Sequence, residues 1–125
     1  MQNRTLNTLI VLIAGITLMA SCTDKYITQP YVAPPPPGYQ YSLTTDVQPV
    51  FTGKCISCHK PGNVAPDLTS GNSYASLISM NLINTGNPTS SVLYRKMNDG
   101  SMAAYCTQQD ADVVLQWIKQ GAKNN

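Results

Sequence analysis

Cys55, Cys58 and His59 stand together in the run Cys55-Ile56-Ser57-Cys58-His59, the densest cluster of reactive side chains in the chain. Two thiols three residues apart on a helical turn can each add across a vinyl group of a porphyrin, giving thioethers. The adjacent imidazole then lies under the iron as an axial ligand, and C-x-x-C-H is the spacing at which c-type haem is attached. Two other chemistries use similar residues. A thioredoxin-type disulfide normally sits at a βα junction, and no strand pattern precedes Cys55. A zinc site needs four ligands, and beyond these three only Cys106 remains, without the second paired motif of structural sites.

The rest of the composition supplies little competing chemistry. The 125 residues include 8 Lys+Arg, 6 Asp+Glu and one His, for a formal charge of +2. Charged residues make up 11% of the chain, against roughly 25% in soluble domains. No basic stripe is available for tracking phosphates, which argues against nucleic-acid binding. A single histidine and acidic residues that are all Asp leave most hydrolase constellations short of parts. The chemistry points to a carrier, not an enzyme.

The amino terminus reads as an export signal. Arg4 supplies a positive charge, and Leu9 to Met19 is an apolar run interrupted only by Gly15 and Thr17. The run is shorter than the roughly 20 residues a spanning helix needs. Leu18-Met19-Ala20-Ser21-Cys22 resembles the bacterial lipobox, which implies a signal peptide over residues 1–21 and acyl chains on Cys22. Several acyl chains on one residue give stable anchoring. The expected location is the exported side of a membrane, in the periplasm or at the outer membrane and cell surface, held there by lipid.

Residues 22–41 hold Pro30, Pro34 to Pro37 and four of the seven tyrosines, with no amphipathic period. Proline runs favour extended polyproline II, so this stretch reads as a semi-rigid tether. The domain proper is expected over residues 42–125.

The elements that would position the motif are helical. Thr45 and Gln48 are placed to form a capping box before the stripe Val47, Val50, Phe51 and Cys55. Pro49 deletes an early backbone bond, so an irregular start is predicted. A short helix is predicted over 73–80, with Tyr74, Leu77 and Ile78 on one face. Asn87-Pro88 offers a cap followed by proline, leading through Val92, Leu93 and Met97 to a stop at Gly100. The last helix is capped by Thr107 with Asp110, buries Val113, Val114, Trp117 and Ile118, and ends at Gly121. No alternating strand pattern is present. The fold class is all-α, with a thin apolar inventory that leaves room for a group at its centre.

These residues resemble the class I, single-haem c-type cytochromes, in the form of the small domains found in exported and lipid-anchored proteins. The resemblance covers roughly residues 43–123. It rests on Thr45-Asp46-Val47-Gln48-Pro49-Val50-Phe51 before Cys55-Ile56-Ser57-Cys58-His59, on Ala65-Pro66-Asp67-Leu68 after it, and on Val114 to Ala122. It implies a small cytochrome c fold of about four helices around one covalent haem c. The first and last helices would cross beside the haem, bringing Val50 and Phe51 against Val114, Trp117 and Ile118. It also implies that the Pro66 carbonyl engages the free ring nitrogen of the proximal His59.

With His59 used, bis-histidine ligation within one chain is excluded, leaving methionine, lysine or an open site. Met80 ends a helix and Met97 lies in a helical turn, where packing is the simpler role. Met102 follows Asp99-Gly100-Ser101 in a loop before the last helix, which is where the family carries its ligand methionine. The family often has prolines after that methionine, and this chain has Ala103-Ala104. His59 and Met102 are thus the expected iron ligands. Filling both axial positions implies electron transfer without substrate binding. The alternative is a haem enzyme or ligand sensor with an open sixth position, and a structural lipoprotein without cofactor is a third reading. Lys54 and Lys60 flank the motif; two charges read most simply as solvated surface, the alternative being a small positive rim for redox partner proteins. Cys106 is left without a partner and is expected to be a buried free thiol, the alternative being an intermolecular bridge.

Overall fold

The structure is a computed structural model that describes residues 35–125. The expected signal peptide, the lipid-bearing Cys22 and most of the tether lie outside the described residues. A compact unit spans Pro36–Asn125. It contains four α-helices and, among the described residues, no strand: α1 Gln48–Lys54, α2 Ser73–Ser79, α3 Val92–Asn98 and α4 Gln108–Lys119. The chain is therefore all-α in its described part. None of the described helices is long and apolar enough to cross a membrane.

α1 is preceded by a π-helical turn over Leu43–Val47. The cause is Pro49, which has no N–H to give and whose ring crowds the carbonyl four residues back, so the turn before it widens. This turn also moves the cap. Ser42, and not Thr45, caps the helix: its hydroxyl accepts from the Thr45 N–H at 3.4 Å, and its own N–H donates to Asp46 Oδ2 at 2.7 Å. Gln48, expected in a Thr45 capping box, is instead turned into the core at 8% exposure. Val47 and Phe51 are fully buried, whereas Val50 is only partly so.

α2 ends one residue before the expected limit, with Met80 as its C-cap. It buries Ser73 and Leu77; of the predicted Tyr74–Leu77–Ile78 face, Leu77 is in the core, Tyr74 packs partly buried against it, and Ile78 is exposed. A seven-residue helix offers about two turns, so only one i, i+4 pair can face the core. The predicted continuous helix from Asn87 is two elements. Pro88–Ser90 form a 3₁₀ turn, Ser91 breaks it with an extended ψ of 131°, and α3 starts at Val92. The buried Ser91 hydroxyl explains the break, because it ties down the preceding loop by accepting from the Asn84 N–H at 2.9 Å.

α4 matches its prediction closely. Thr107 and Asp110 form a reciprocal capping box, with Thr107 N–H to Asp110 Oδ2 at 2.8 Å and Asp110 N–H to Thr107 Oγ1 at 3.1 Å. Its end is a Schellman motif at Gly121, where φ is +97°. The Gly121 N–H donates to Ile118 O and the Ala122 N–H to Trp117 O, satisfying carbonyls the helix leaves open. Val114, Trp117 and Ile118 are fully buried against Val47, Phe51 and Leu77. Each such side chain contributes roughly 1.5–3 kcal/mol of burial. Trp117 also donates its indole N–H to Lys123 O at 2.9 Å, which meets its one polar demand inside the core.

Residues 39–44 are sewn to the carboxyl-terminal segment. The Tyr41 N–H donates to Gln120 Oε1 at 2.7 Å, and Gln120 Nε2 donates to Tyr39 O at 2.9 Å. The Thr44 N–H and the hydroxyls of Ser42 and Thr44 all donate to Asn125 O. Tyr39 and Tyr41 meet edge to face at 5.0 Å. The last residues of the stretch read as tether thus pack into the compact unit.

Candidate functional site: an apolar cleft at the Cys55–His59 turn

α1 places the reactive cluster by ending immediately before it. The Cys55 N–H closes the helix on Phe51 O at 2.8 Å, and one more turn follows, in which both the Cys58 and His59 N–H groups point to Cys55 O, at 3.1 and 2.9 Å. Cys55, Cys58 and His59 therefore share one tight turn whose geometry is fixed by backbone bonds. The chain then loops back, with Val64 N–H on Cys58 O and Leu68 N–H on His59 O.

The returning segment holds the imidazole. His59 Nδ1 lies 3.2 Å from Pro66 O. A carbonyl oxygen can only accept, so Nδ1 carries the proton and, in neutral imidazole, Nε2 keeps the lone pair. The Ala65–Pro66 peptide is cis. Asp67 anchors the same segment, accepting from the Thr69 N–H and hydroxyl at 3.0 and 2.6 Å and from Asn72 Nδ2 at 2.8 Å.

A cleft of about 270 Å³ opens over this turn. Its walls bring together Cys55, Cys58, His59, Met97, Met102 and Cys106, with Val64, Leu68 and Tyr105 completing an apolar lining and Lys54 at its edge. Residues scattered from 54 to 106 in sequence thus meet in one place. Of the three methionines among the described residues, Met80 is absent from the cleft and 45% exposed. Met97 is packed into the core at 4%. Met102 is half-buried on the loop between α3 and α4. Lys60 is exposed and lies outside the cleft lining.

The three described cysteines are all free thiols. Burial pushes Cys55 up to about 11, and nearby Cys106 and Asp110 act in the same direction. Burial also raises Cys106, aided by Asp110 and opposed by Lys54. Both are therefore held as neutral thiols at ordinary pH. Cys58 is exposed. Among the described residues, no group of three or more His, Cys, Asp or Glu side chains converges as it would around a metal ion.

Sequence reasoning missed three members of the site. Leu68 and Val64 line the cleft through the fold-back of the loop, and Tyr105 reaches it from the 3₁₀ turn Ala103–Tyr105. No periodicity marks them, and only Leu68 falls in a quoted motif, the Ala65–Leu68 run, which gives it no lining role. Gln48 and Ser73 form a buried pair behind the loop, with the Ser73 hydroxyl donating to Gln48 Oε1 at 2.7 Å. The sequence signals for Gln48 were its place in the Thr45–Phe51 run and a capping role that Asp46 fills instead, by accepting from the Ser42 N–H.

Comparison with known proteins finds no matching family model, no matching curated protein and no matching solved structure.

Proposed function

We propose that this chain is a lipid-anchored, single-haem c-type cytochrome that transfers electrons on the exported side of a membrane. The observation that carries the reading is the hydrogen bond from His59 Nδ1 to Pro66 O, made in a cleft that also gathers Cys55, Cys58 and Met102. The donor set fits the group: two thiols beside an imidazole with a fixed tautomer, and a thioether on the same cleft.

Cys55 and Cys58 would hold the porphyrin covalently, and His59 would present Nε2 as the proximal ligand. The Pro66 carbonyl orients that ring and raises its basicity. Met102 would offer its thioether sulfur as the second protein ligand to the iron. The buried Leu68 and Met97 give the cleft an apolar wall, which lowers the local dielectric and favours the less charged state of a site against it. The chemistry supplied by a bound haem is one-electron exchange at iron. Tyr105 and Val64, at 65% and 53% exposure, leave an apolar rim beside Lys54 where a redox partner protein can approach. The anchor rests on the resemblance of residues 18–22 to a lipobox.

The deciding measurement is the absorption spectrum of the full chain, produced with its own export signal in a host that matures c-type haem. A sharp low-spin α band on reduction is the expected result, and a colourless protein overturns the reading. A high-spin ferric spectrum with rapid carbon monoxide binding would instead identify a haem enzyme or sensor with an open sixth position.

A further inference from the structure

The segment that holds His59 is itself held from behind. Leu68 is 4% exposed, and its N–H donates to His59 O at 3.0 Å, two residues after the carbonyl that meets Nδ1. Its own carbonyl accepts from Gln48 Nε2 at 2.9 Å in a buried bond. Gln48 is fixed in turn by the Ser73 hydroxyl on its Oε1 at 2.7 Å, and Ser73 is 2% exposed. The neighbouring Asp67 N–H donates to Ser76 Oγ at 2.9 Å. Residues 66–68 thus form a strap, gripped on one side by His59 and on the other by α1 and α2.

We infer that Gln48 is a positioning residue for His59, setting through the Leu68 carbonyl how firmly the Pro66 carbonyl grips the imidazole Nδ1–H. The inference rests on the haem reading for its consequence at iron, but the relay itself belongs to the protein. Without the Gln48 amide, the buried Leu68 carbonyl loses its partner, and the strap must shift to find another. A strap displaced by a few tenths of an ångström lengthens the Nδ1–H···O bond at its other end. The imidazole becomes less basic, its hold on the ferric state weakens, and the reduction potential rises. Ser73 differs from Gln48 in a useful way, because removing its hydroxyl leaves the bond from Gln48 to Leu68 in place.

The test compares Gln48→Met, an apolar side chain of similar length, with Ser73→Ala in the full, matured chain. Three quantities are read: haem per chain, the reduction potential, and hydrogen exchange at His59 Nδ1–H by nitrogen-resolved NMR. Gln48→Met should keep its haem, exchange the His59 proton about tenfold faster, the scale of one lost hydrogen bond, and show a raised potential. Ser73→Ala should lower Tm while leaving exchange and potential near the parent values. Gln48→Met that lowers Tm but leaves both His59 readouts unchanged overturns the inference. Should Gln48→Met not fold, Gln48→Leu also removes the donor to Leu68 and must accelerate exchange in the same way. If the parent chain carries no haem, the haem reading fails, while the exchange comparison still decides whether Gln48 governs His59.

Discussion

The Met102 N–H donates to Lys96 O at 2.9 Å, folding the loop that carries Met102 back onto the last turn of α3. That bond turns a loop methionine into a wall of the cleft. It also separates Met102 from Met97, which reaches the same cleft from inside the core. The two side chains should therefore respond differently to truncation. Met102→Ala should convert a low-spin spectrum to a high-spin one that binds carbon monoxide, with a modest change in Tm. Met97→Ala should cost about 2–5 kcal/mol of stability, as core truncations do, and keep the low-spin spectrum. A low-spin Met102→Ala would assign the axial position elsewhere.

Gly100 makes the fold-back possible. A Cβ at this position would stand 2.8 Å from both Arg95 O and Lys96 Cα, which are backbone atoms that cannot swing aside. Gly100→Ala should therefore push the loop off α3, at a cost of about 1–3 kcal/mol. A larger high-spin fraction should accompany the loss. Thermal unfolding and the visible spectrum of the same sample check both effects, and an unperturbed spectrum would show that Met102 does not depend on this contact.

Acid should destabilise the domain through two carboxylates. Burial pushes Asp46 up, but hydrogen bonds from the Tyr39 hydroxyl, the Ser42 N–H and the Thr45 hydroxyl outweigh it and hold the group below its ordinary 3.8. Asp67 is held below the same value chiefly by the Thr69 hydroxyl and N–H, against a weaker effect of burial. A carboxyl with a lowered folded value contributes stability that is complete above its unfolded value. That contribution is lost as pH falls through the folded one. Stability should thus decline below about pH 4, and Asp46→Asn and Asp67→Asn should each flatten that decline in denaturant titrations. A slope unchanged by both substitutions would place the acid sensitivity elsewhere.

Cys106 should be the single reactive thiol of the matured chain, since Cys55 and Cys58 would be thioethers and Cys22 acylated. Mass spectrometry after alkylation in denaturant should count one label, on Cys106. In the native state, labelling at neutral pH should be slower than for a free cysteine and should keep accelerating above pH 9, because burial and Asp110 raise the thiol. Two or three labels in denaturant would mean that the C-x-x-C-H thiols remain free.

The sequence determined the parts of this protein that depend on near neighbours. The Thr107–Asp110 cap, the Gly121 stop and the buried Val114–Trp117–Ile118 face are local consequences of residue type and helical period, and they appear where the pattern places them. The Cys55–His59 turn is equally local, since the N–H groups of Cys55, Ile56, Cys58 and His59 reach back five residues or fewer. The irregular entry to α1 was legible from Pro49, but its cap was not, because widening the turn moved the capping role back to Ser42. Tertiary structure alone decided the rest. Ile78 faces outward because α2 has room for only one buried pair, Ser73 and Leu77. Gln48 turns inward because the carbonyl of Leu68, twenty residues away, needs a donor there. Pro66 meets His59, and Met102 meets the cleft, only through loops closed by backbone bonds between residues six to nine apart, Val64 to Cys58, Leu68 to His59 and Met102 to Lys96. Residue periodicity records neither closure, because each depends on where the chain brings its polar groups; only the resemblance of the Ala65–Leu68 run and of the loop before the last helix to a known family pointed to Pro66 and Met102 in advance.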